Sequence, residues 1–338
     1  MTTPTPHTVR AAIGIDIGGT KILSALVPSI LKDEDDLKAA ERVATPMDGT
    51  AFLDTLVRMV QNIQAESTGQ PIDGVGISTA GTVNTETGTV MGSTGNLPFL
   101  MSIANLKERL EDRLGMPVMV ENDANAAAYG EYCVGAGRDA DHLLMITLGT
   151  GVGGGFVRYG QIYHGAHYSG MEVGHICIQR EQQRFCTSGR YGSWESFASG
   201  LGARQTIHEV LKTHPEAAQS QLMQLGKAME DITTHDLVTV WKNGDALAKT
   251  IMDIWHQDIA LGLSSIINVL DPDRVVVGGG MGKFVDMAQL QTLTDKRCVR
   301  PGTPLVPAAL GNSAGLVGAA FLTMQPRQVE HHALAVTH

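Results

Sequence analysis

The chain has 338 residues, with 25 Lys and Arg against 35 Asp and Glu, giving a formal charge of −10 with histidines neutral. Hydrophobic residues make up 43% and charged residues 18%, too apolar for a disordered chain, and the 39 glycines follow no collagen-like period. The acidic balance, with no basic stripe, excludes nucleic acid as the expected partner, because phosphate neutralisation needs clustered Lys and Arg. At about 100–200 residues per domain, the length fits two compact units. The apolar run Ala11–Ile15 is cut by Asp16 and is too short for a signal peptide or a membrane span. Residues Met1–Thr8 lack the basic flank of a targeting sequence. Cys133, Cys177, Cys186 and Cys298 are widely spaced with no C-x-x-C pair, so a disulfide framework is not expected. A cytoplasmic protein with no membrane partner is the expectation.

In chain order, Ala11–Asp16 and Lys21–Val27 read as two strands joined by the tight turn Gly18-Gly19-Thr20. A charged loop, Lys32–Asp36, leads to a helix over Ala51–Ala65. Gly74–Ser78 alternates as a strand and runs into the loop Thr79-Ala80-Gly81-Thr82. Ile103, Leu106, Leu110 and Leu114 step by three and four residues, predicting a one-faced helix closed by Gly115 and Pro117. Val118–Val120 is a short strand, and Asn122-Asp123 opens an alanine-rich helix. After the turn-rich loop Gly135–Asp141 the pattern restarts: strand Leu143–Leu148, glycine run Gly149–Gly155, strand Phe156–Tyr159. This echo of the first unit predicts an internal duplication, with the boundary near residues 121–141. Residues 201–270 read as mostly helical, with Ile251, Trp255, Ile259, Leu263, Ile266 and Leu270 on one buried face. Val275–Val277 is a strand ending in Gly278-Gly279-Gly280, Asn312–Leu322 a last helix, and residues 326–338 a loose tail. Strand-led units mixed with helices imply an α/β protein of two lobes, with a ligand in the crevice at the glycine-bearing strand ends.

Which phosphate grip these glycines form can be narrowed. Gly149–Gly154 matches the dinucleotide pattern G-x-G-x-x-G, but Phe156–Tyr159 prefers strand where that fingerprint requires helix. A P-loop fails at Gly278–Lys283, where Phe284 stands in place of Ser or Thr, and no H-R-D or D-F-G triplet marks a protein kinase. Two Gly/Thr turns between strands remain. Such turns let backbone N–H groups approach phosphate oxygens with no Cβ in the way, with Thr20 and Thr150 adding hydroxyls and Lys21 a charge. Asp16, just before the first turn, is placed to hold Mg2+ through water. Ordinary glycine hairpins are the competing reading. Asp123 likewise reads as a helix N-cap, whose carboxylate is held charged and is a weak base. Taken singly, Glu172 and His175 read as solvated side chains, Glu195 as an exposed helical carboxylate beside Trp194, and Asn96, before Leu97-Pro98-Phe99, as a turn residue.

Together, Asp16-Ile17-Gly18-Gly19-Thr20-Lys21, Glu121-Asn122-Asp123-Ala124-Asn125-Ala126, Leu148–Gly154 and Glu172-Val173-Gly174-His175 resemble the ROK family, named for repressors, open reading frames and kinases. Gly278–Gly280 and Ala314–Ala320 fall where that family has similar segments, and the resemblance covers residues 11–323. It implies an α/β, two-lobed actin-like ATPase (ribonuclease H-like) fold with a nucleotide and sugar cleft between the lobes. Residues 1–121, joined by the C-terminal helix 312–325, would form one lobe and residues 122–311 the other. The implied substrates are ATP, with Mg2+, and a hexose, glucose first. Asp16, Gly18, Gly19, Thr20 and Lys21 would grip the phosphates with Gly149, Thr150, Gly151 and Gly153, and Gly278, Gly279 and Gly280 would lie beside the adenosine. Asn96, Asn122, Asp123, Glu172, His175 and Glu195 would contact the sugar, with Asp123 the general base on the 6-hydroxyl.

The chain departs from the family's pattern in places. Many members hold a structural zinc on a His and a C-x-C-G-x-x-G-C run. Here His175 is followed by Cys186-Thr187-Ser188-Gly189-Arg190-Tyr191-Gly192-Ser193, with serine at two of the three cysteine positions, so no zinc is expected. Thr82 and Asn84 replace a proline and an aspartate common in glucose-phosphorylating relatives, and Met171 stands where a glycine commonly precedes the glutamate. Both departures border the implied sugar pocket, which keeps kinases for N-acetylmannosamine, fructose or allose, and a non-catalytic sugar sensor, as alternatives. The family's repressors carry a DNA-binding segment of tens of residues ahead of the first turn, whereas about ten residues precede the first strand here. Family members are often dimers, so a homodimer is an expectation that the sequence itself does not fix.

Overall fold

The computed structural model describes residues 10–31, 36–67, 69–92, 97–180, 184–186 and 189–324. Its first half runs β1 (Ala11–Ile17), β2 (Lys21–Pro28), β3 (Lys38–Ala44), α1 (Gly49–Glu66), β4 (Ile72–Thr79), the short hairpin β5 (Val83–Asn84) and β6 (Thr89–Val90), α2 (Leu106–Leu114), β7 (Val118–Asn122) and α3 (Asp123–Cys133). Then follow β8 (His142–Leu148), β9 (Val152–Arg158), β10 (Gln161–Ile162), α4 (Glu195–Ala198), α5 (Gly200–Thr213), α6 (Thr234–Lys242), α7 (Ala246–Leu270), β11 (Arg274–Gly278), α8 (Met287–Asp295), β12 (Leu305–Pro307) and α9 (Ala314–Met324). The predicted elements thus recur with ends shifted by a few residues. The charged loop falls mostly outside the described residues, as does the tail 326–338.

Two five-stranded sheets carry the echo seen in the sequence. The first has the order β3-β2-β1-β4-β7 and the second β10-β9-β8-β11-β12. In both, a run of antiparallel strands leads into two parallel ones: β1 pairs antiparallel with β2 and parallel with β4, and β8 pairs antiparallel with β9 and parallel with β11. The parallel strands are nearly continuous apolar runs because both of their faces are covered. One core cluster lies around Ile13, Ile15, Phe52, Leu56 and Ile77, and another around Leu144, Ile146, Trp194, Trp255 and Ile259. On α7 the predicted face is buried at Ile251, Trp255, Ile259, Leu263 and Ile266.

The strand expected at Phe156 begins four residues earlier, at Val152, inside the glycine run. The reason is steric. β9 carries α3 on its surface, and a Cβ on Gly155 would stand 2.6 Å from that of Ala128. Gly153 and Gly155 therefore serve helix packing, Gly154 clears Val173, and only Gly149 and Gly151 form the turn. The final helix, α9, likewise begins at Ala314, after a single 3-10 turn over Gly311–Ser313. It packs on β1, β4 and α3 through glycine. A Cβ on Gly76 would run into the carbonyl of Ala319, and one on Gly318 into that of Ala126.

Candidate active site

The first glycine turn is closed by Gly18 N–H donating to the Lys21 carbonyl at 2.9 Å, just beyond the pair Ile17↔Ile22. Thr45 braces it, its hydroxyl donating to the Gly18 carbonyl at 2.7 Å. The second turn is its counterpart, with Gly149 N–H donating to the Gly151 carbonyl at 2.9 Å beyond Leu148↔Val152. Thr20, Lys21 and Thr150 are exposed on these tips. Asp16, the residue before the last of β1, is half-buried and accepts the Ser78 hydroxyl at 2.8 Å. Desolvation holds its carboxyl above the ordinary range, partly offset by Ser78 and Lys21.

At the end of β7 the chain enters α3, and the structure reassigns the cap. Asn122 is the N-cap residue, its Oδ1 accepting the amides of Ala124 and Asn125 at 3.0 and 3.1 Å while its Nδ2 donates to the Gly81 carbonyl at 3.0 Å. Asp123 is the first helical residue, and its Oδ1 accepts the Ala124 amide at 2.8 Å. The sequence reading of Asp123 as a cap held strongly charged is therefore corrected. Asp123 is exposed, yet protein surrounds it at longer range. Desolvation and the charges of Asp16 and Glu172 raise its pKa to about 6, against the pull of the Ala124 amide. Asp16 and Glu172, from separate elements, thus both act on Asp123 through their charge.

Glu172 comes from the loop after β10, and His175 Nε2 lies 3.7 Å from its Oε2. The residue between loop and glutamate, Met171, has φ 65°, in the left-handed region where glycine is unstrained. That accounts for the glycine common there in the family. His175 and Glu195 are drawn together by the segment that joins them: Cys177 pairs with Ser193 across an antiparallel bridge, and Trp194 N–H donates to the Ile176 carbonyl at 2.8 Å. Trp194 is fully buried and donates from Nε1 to the Asp258 carbonyl at 2.9 Å, which fixes the start of α4. Glu195 is then placed against the second turn, its Oε2 accepting the Val152 amide at 3.1 Å.

A cavity of about 540 Å³ opens between the second turn and the Gly278 run, lined by Gly149, Thr150, Gly280, Arg204, His235 and Lys283 among others. Gly280 alone of the three glycines lines it. Gly279, at φ 84°, supports it from beneath, packed so closely on the Leu148 carbonyl that a Cβ would not fit. Sequence reasoning missed Arg204, His235 and Lys283. His235 could have been reached through the capping box of α6, where Thr233 and Asp236 satisfy each other's backbone amides, because His235 lies between them. It also missed Ser78, behind Asp16. Asn96 lies outside the described residues.

At the positions where the family's zinc ligands fall the chain supplies His175 and Cys186, with serine at the other two, a donor set short of tetrahedral zinc. The loop between His175 and Glu195 is held instead by Arg184, whose guanidinium is buried, donates to Glu209 at 3.0 and 2.5 Å and to Thr206 Oγ1 at 3.0 Å, and stacks over Phe197 at 4.5 Å. Among the described residues no group of three or more His, Cys, Asp or Glu is gathered as a metal would require.

The sequence profile of the ROK family matches residues 12–326. The chain belongs to the ROK family. A glucokinase of Streptomyces coelicolor is 34% identical over 322 residues, spanning 93% of this chain and 98% of the relative. An N-acetyl-D-glucosamine kinase of Vibrio cholerae is 28% identical, over 92% of this chain and 99% of its own length. A crystal structure of a ROK family glucokinase from Streptomyces griseus, in complex with glucose and AMPPNP, superposes with a TM-score of 0.75 at 32% identity, covering 94% of this chain and all of that one. The α/β architecture is that of the ROK sugar kinases, the actin-like ATPase fold.

Proposed function

We propose that this ROK protein transfers the γ-phosphoryl group of ATP to the 6-hydroxyl of a hexose, glucose giving glucose 6-phosphate, with Asp123 as general base. An ATP-dependent sugar kinase is what its glucokinase relatives, and the nucleotide-bound ROK structure that it resembles, support. The observation that carries the mechanism is the placement of Asp123: relieved of capping by Asn122, open to a ligand and with its pKa raised to about 6. At neutral pH it is mostly ionised, yet more basic than an ordinary carboxylate.

In this reading the sugar lies on Asp123, Asn122, Glu172, His175, Glu195 and Asn96, groups that match the donor and acceptor faces of hydroxyls. ATP lies with its phosphates on the backbone amides of Gly18–Lys21 and Gly149–Gly153 and with its adenosine in the cavity beside Gly280. Asp16, facing the first turn with its carboxyl destabilised by burial, suits a water-bound Mg2+, which would supply neutralising charge to the phosphates. The 6-oxygen forms its bond to phosphorus as the bond to the ADP oxygen breaks, and its proton passes to Asp123. A loose transition state demands positioning more than proton removal, which the paired turns provide. We read residues 1–121 with 312–325 as one lobe and 122–311 as the other, closing on sugar to exclude water. An N-acetylated hexosamine is the second substrate reading, supported by the relative from Vibrio cholerae and by the departures at Thr82, Asn84 and Met171. Sugar-dependent ADP release across glucose, N-acetylglucosamine, N-acetylmannosamine, fructose and allose decides between them. ADP release with none of these sugars would overturn the kinase reading in favour of a sugar sensor.

A further inference from the structure

Glu121, immediately before the Asn122–Asp123 pair, is only 3% exposed, and burial of a carboxylate requires donors on both oxygens. Its Oε1 accepts the backbone amide of Asn122 at 2.8 Å and Asn125 Nδ2 at 3.1 Å. Its Oε2 meets His164 Nε2 at 2.7 Å. Glu121 thereby holds the peptide that leads into Asp123. His164 belongs to the other sheet's side of the molecule, in the loop that follows β10 and ends at Glu172. That loop is pinched at its base by His164 itself, whose carbonyl accepts the Gly170 amide at 2.8 Å, and Gly170 lies two residues before Glu172. One residue therefore grips the Asp123 segment with its ring and the Glu172 segment with its backbone.

We infer that His164 is a positioning residue whose charged pairing with Glu121 holds Asp123 and Glu172 in register for the sugar, and that this register loosens as the imidazole loses its proton. The inference rests on the kinase reading for its kinetic arm only. Glu121, on β7, is the charged group acting on His164. The Tyr168 ring, in the same loop, lies 6.2 Å away, with Glu86 of the β5–β6 turn the nearby charge acting on its hydroxyl. Glu121 raises the His164 pKa above its ordinary value, against the opposing effect of partial burial. A histidine with its folded pKa raised contributes its stabilisation fully below the unfolded value of about 6.5 and loses it as pH rises through the folded value. The register is thus tightest below about 6.5 and relaxes as pH rises through the raised folded value.

The test has two arms. In the sugar-free protein, the His164 imidazole proton resonances are titrated by NMR in the wild type and in Glu121→Gln. A raised midpoint that falls toward the ordinary value in Glu121→Gln is expected, and a wild-type midpoint at or below the ordinary value overturns the pairing whether or not the protein turns over any sugar. In the kinetic arm, His164→Gln should raise the KM for sugar by about ten- to a hundredfold near pH 6, with the KM for ATP unchanged. The alkaline rise in sugar KM should disappear in that variant. His164→Arg, charged at every pH, should restore a low sugar KM with no alkaline rise. Equal sugar KM for wild type and His164→Gln at pH 6 overturns the inference, as does an alkaline rise that persists in both variants. Circular dichroism melting of each variant separates loss of register from loss of fold. Absence of turnover with every sugar, alongside a raised His164 midpoint, would instead fault the kinase reading and leave the pairing standing.

Discussion

Asp123 offers the sharpest check, because two independent readouts follow from its surroundings. With a pKa of about 6, only about a tenth of the carboxylate is ionised at pH 5 and about nine-tenths at pH 7. The value of kcat/KM for sugar, measured by coupled ADP release, should therefore fall about tenfold per pH unit below 6, whereas an ordinary aspartate would hold the plateau to about pH 4. Glu172→Gln removes one of the like charges that raise this pKa and should move the acid limb of its residual activity to lower pH. Asp123→Asn should lower kcat by about 10²–10⁴-fold. The sign of its stability effect is also fixed. A carboxylate with a raised folded pKa is one whose charge the fold opposes, so its stability cost is absent below the unfolded pKa near 3.8, grows from there to about 6 and is complete above it. The neutral amide escapes that cost, and Asp123→Asn should melt no lower than the wild type at pH 7. Near-normal turnover in a folded Asp123→Asn protein, or a wild-type acid limb centred near pH 4, would refute the reasoning.

Removing the cap should act differently: Asn122→Ala should cost about 1 kcal/mol in chemical denaturation, and Asn122→Asp should recover most of it. Gly76→Ala forces a methyl group into the Ala319 carbonyl, and a loss of at least about 2 kcal/mol by urea unfolding is expected, with wild-type stability the contrary result. Gly279→Ala strains a left-handed backbone pressed on Leu148 and should raise the KM for ATP well beyond that for sugar. Dialysis against a chelator followed by return of Mg2+ should leave the melting temperature and activity unchanged, and one tightly held zinc per chain by elemental analysis would contradict the Arg184-held loop.

The strands and the long face of α7 were readable because both faces of a parallel sheet and one face of a helix demand uninterrupted apolar residues, and Ile13, Ile77, Trp255 and Ile259 meet that demand. The boundary of β9 was misread because glycine has two uses, and only the helix lying over Gly155 reveals that it is there for clearance. Asp123 and Asn122 could not be ranked as caps from adjacency, since the choice depends on backbone angles: Asn122 is extended at φ −62° and ψ 145°, whereas Asp123 is already helical. Motifs led to Asp16, Asp123 and Glu172 and carried Glu121 along without a role, but did not mark Ser78 or His164. These are joined across 62 residues for Ser78 with Asp16 and 43 for His164 with Glu121, distances at which no local pattern survives.

The closing helix at the end of the chain has a consequence for how the protein comes into being. Residues 314–324 supply the lid over β1 and β4, strands made from the opening tenth and the first quarter of the chain. During synthesis those strands must wait, one apolar side bare, until residues 314–324 are made and α9 clears the ribosome. In the second sheet, β8 and β9 are covered on one face by α3, which is made just before them, so that face meets no such delay. Chain order therefore leaves the first-made strands among the last to be covered, and a ribosome stalled before residue 314 is read would leave the Asp16 strand without its roof.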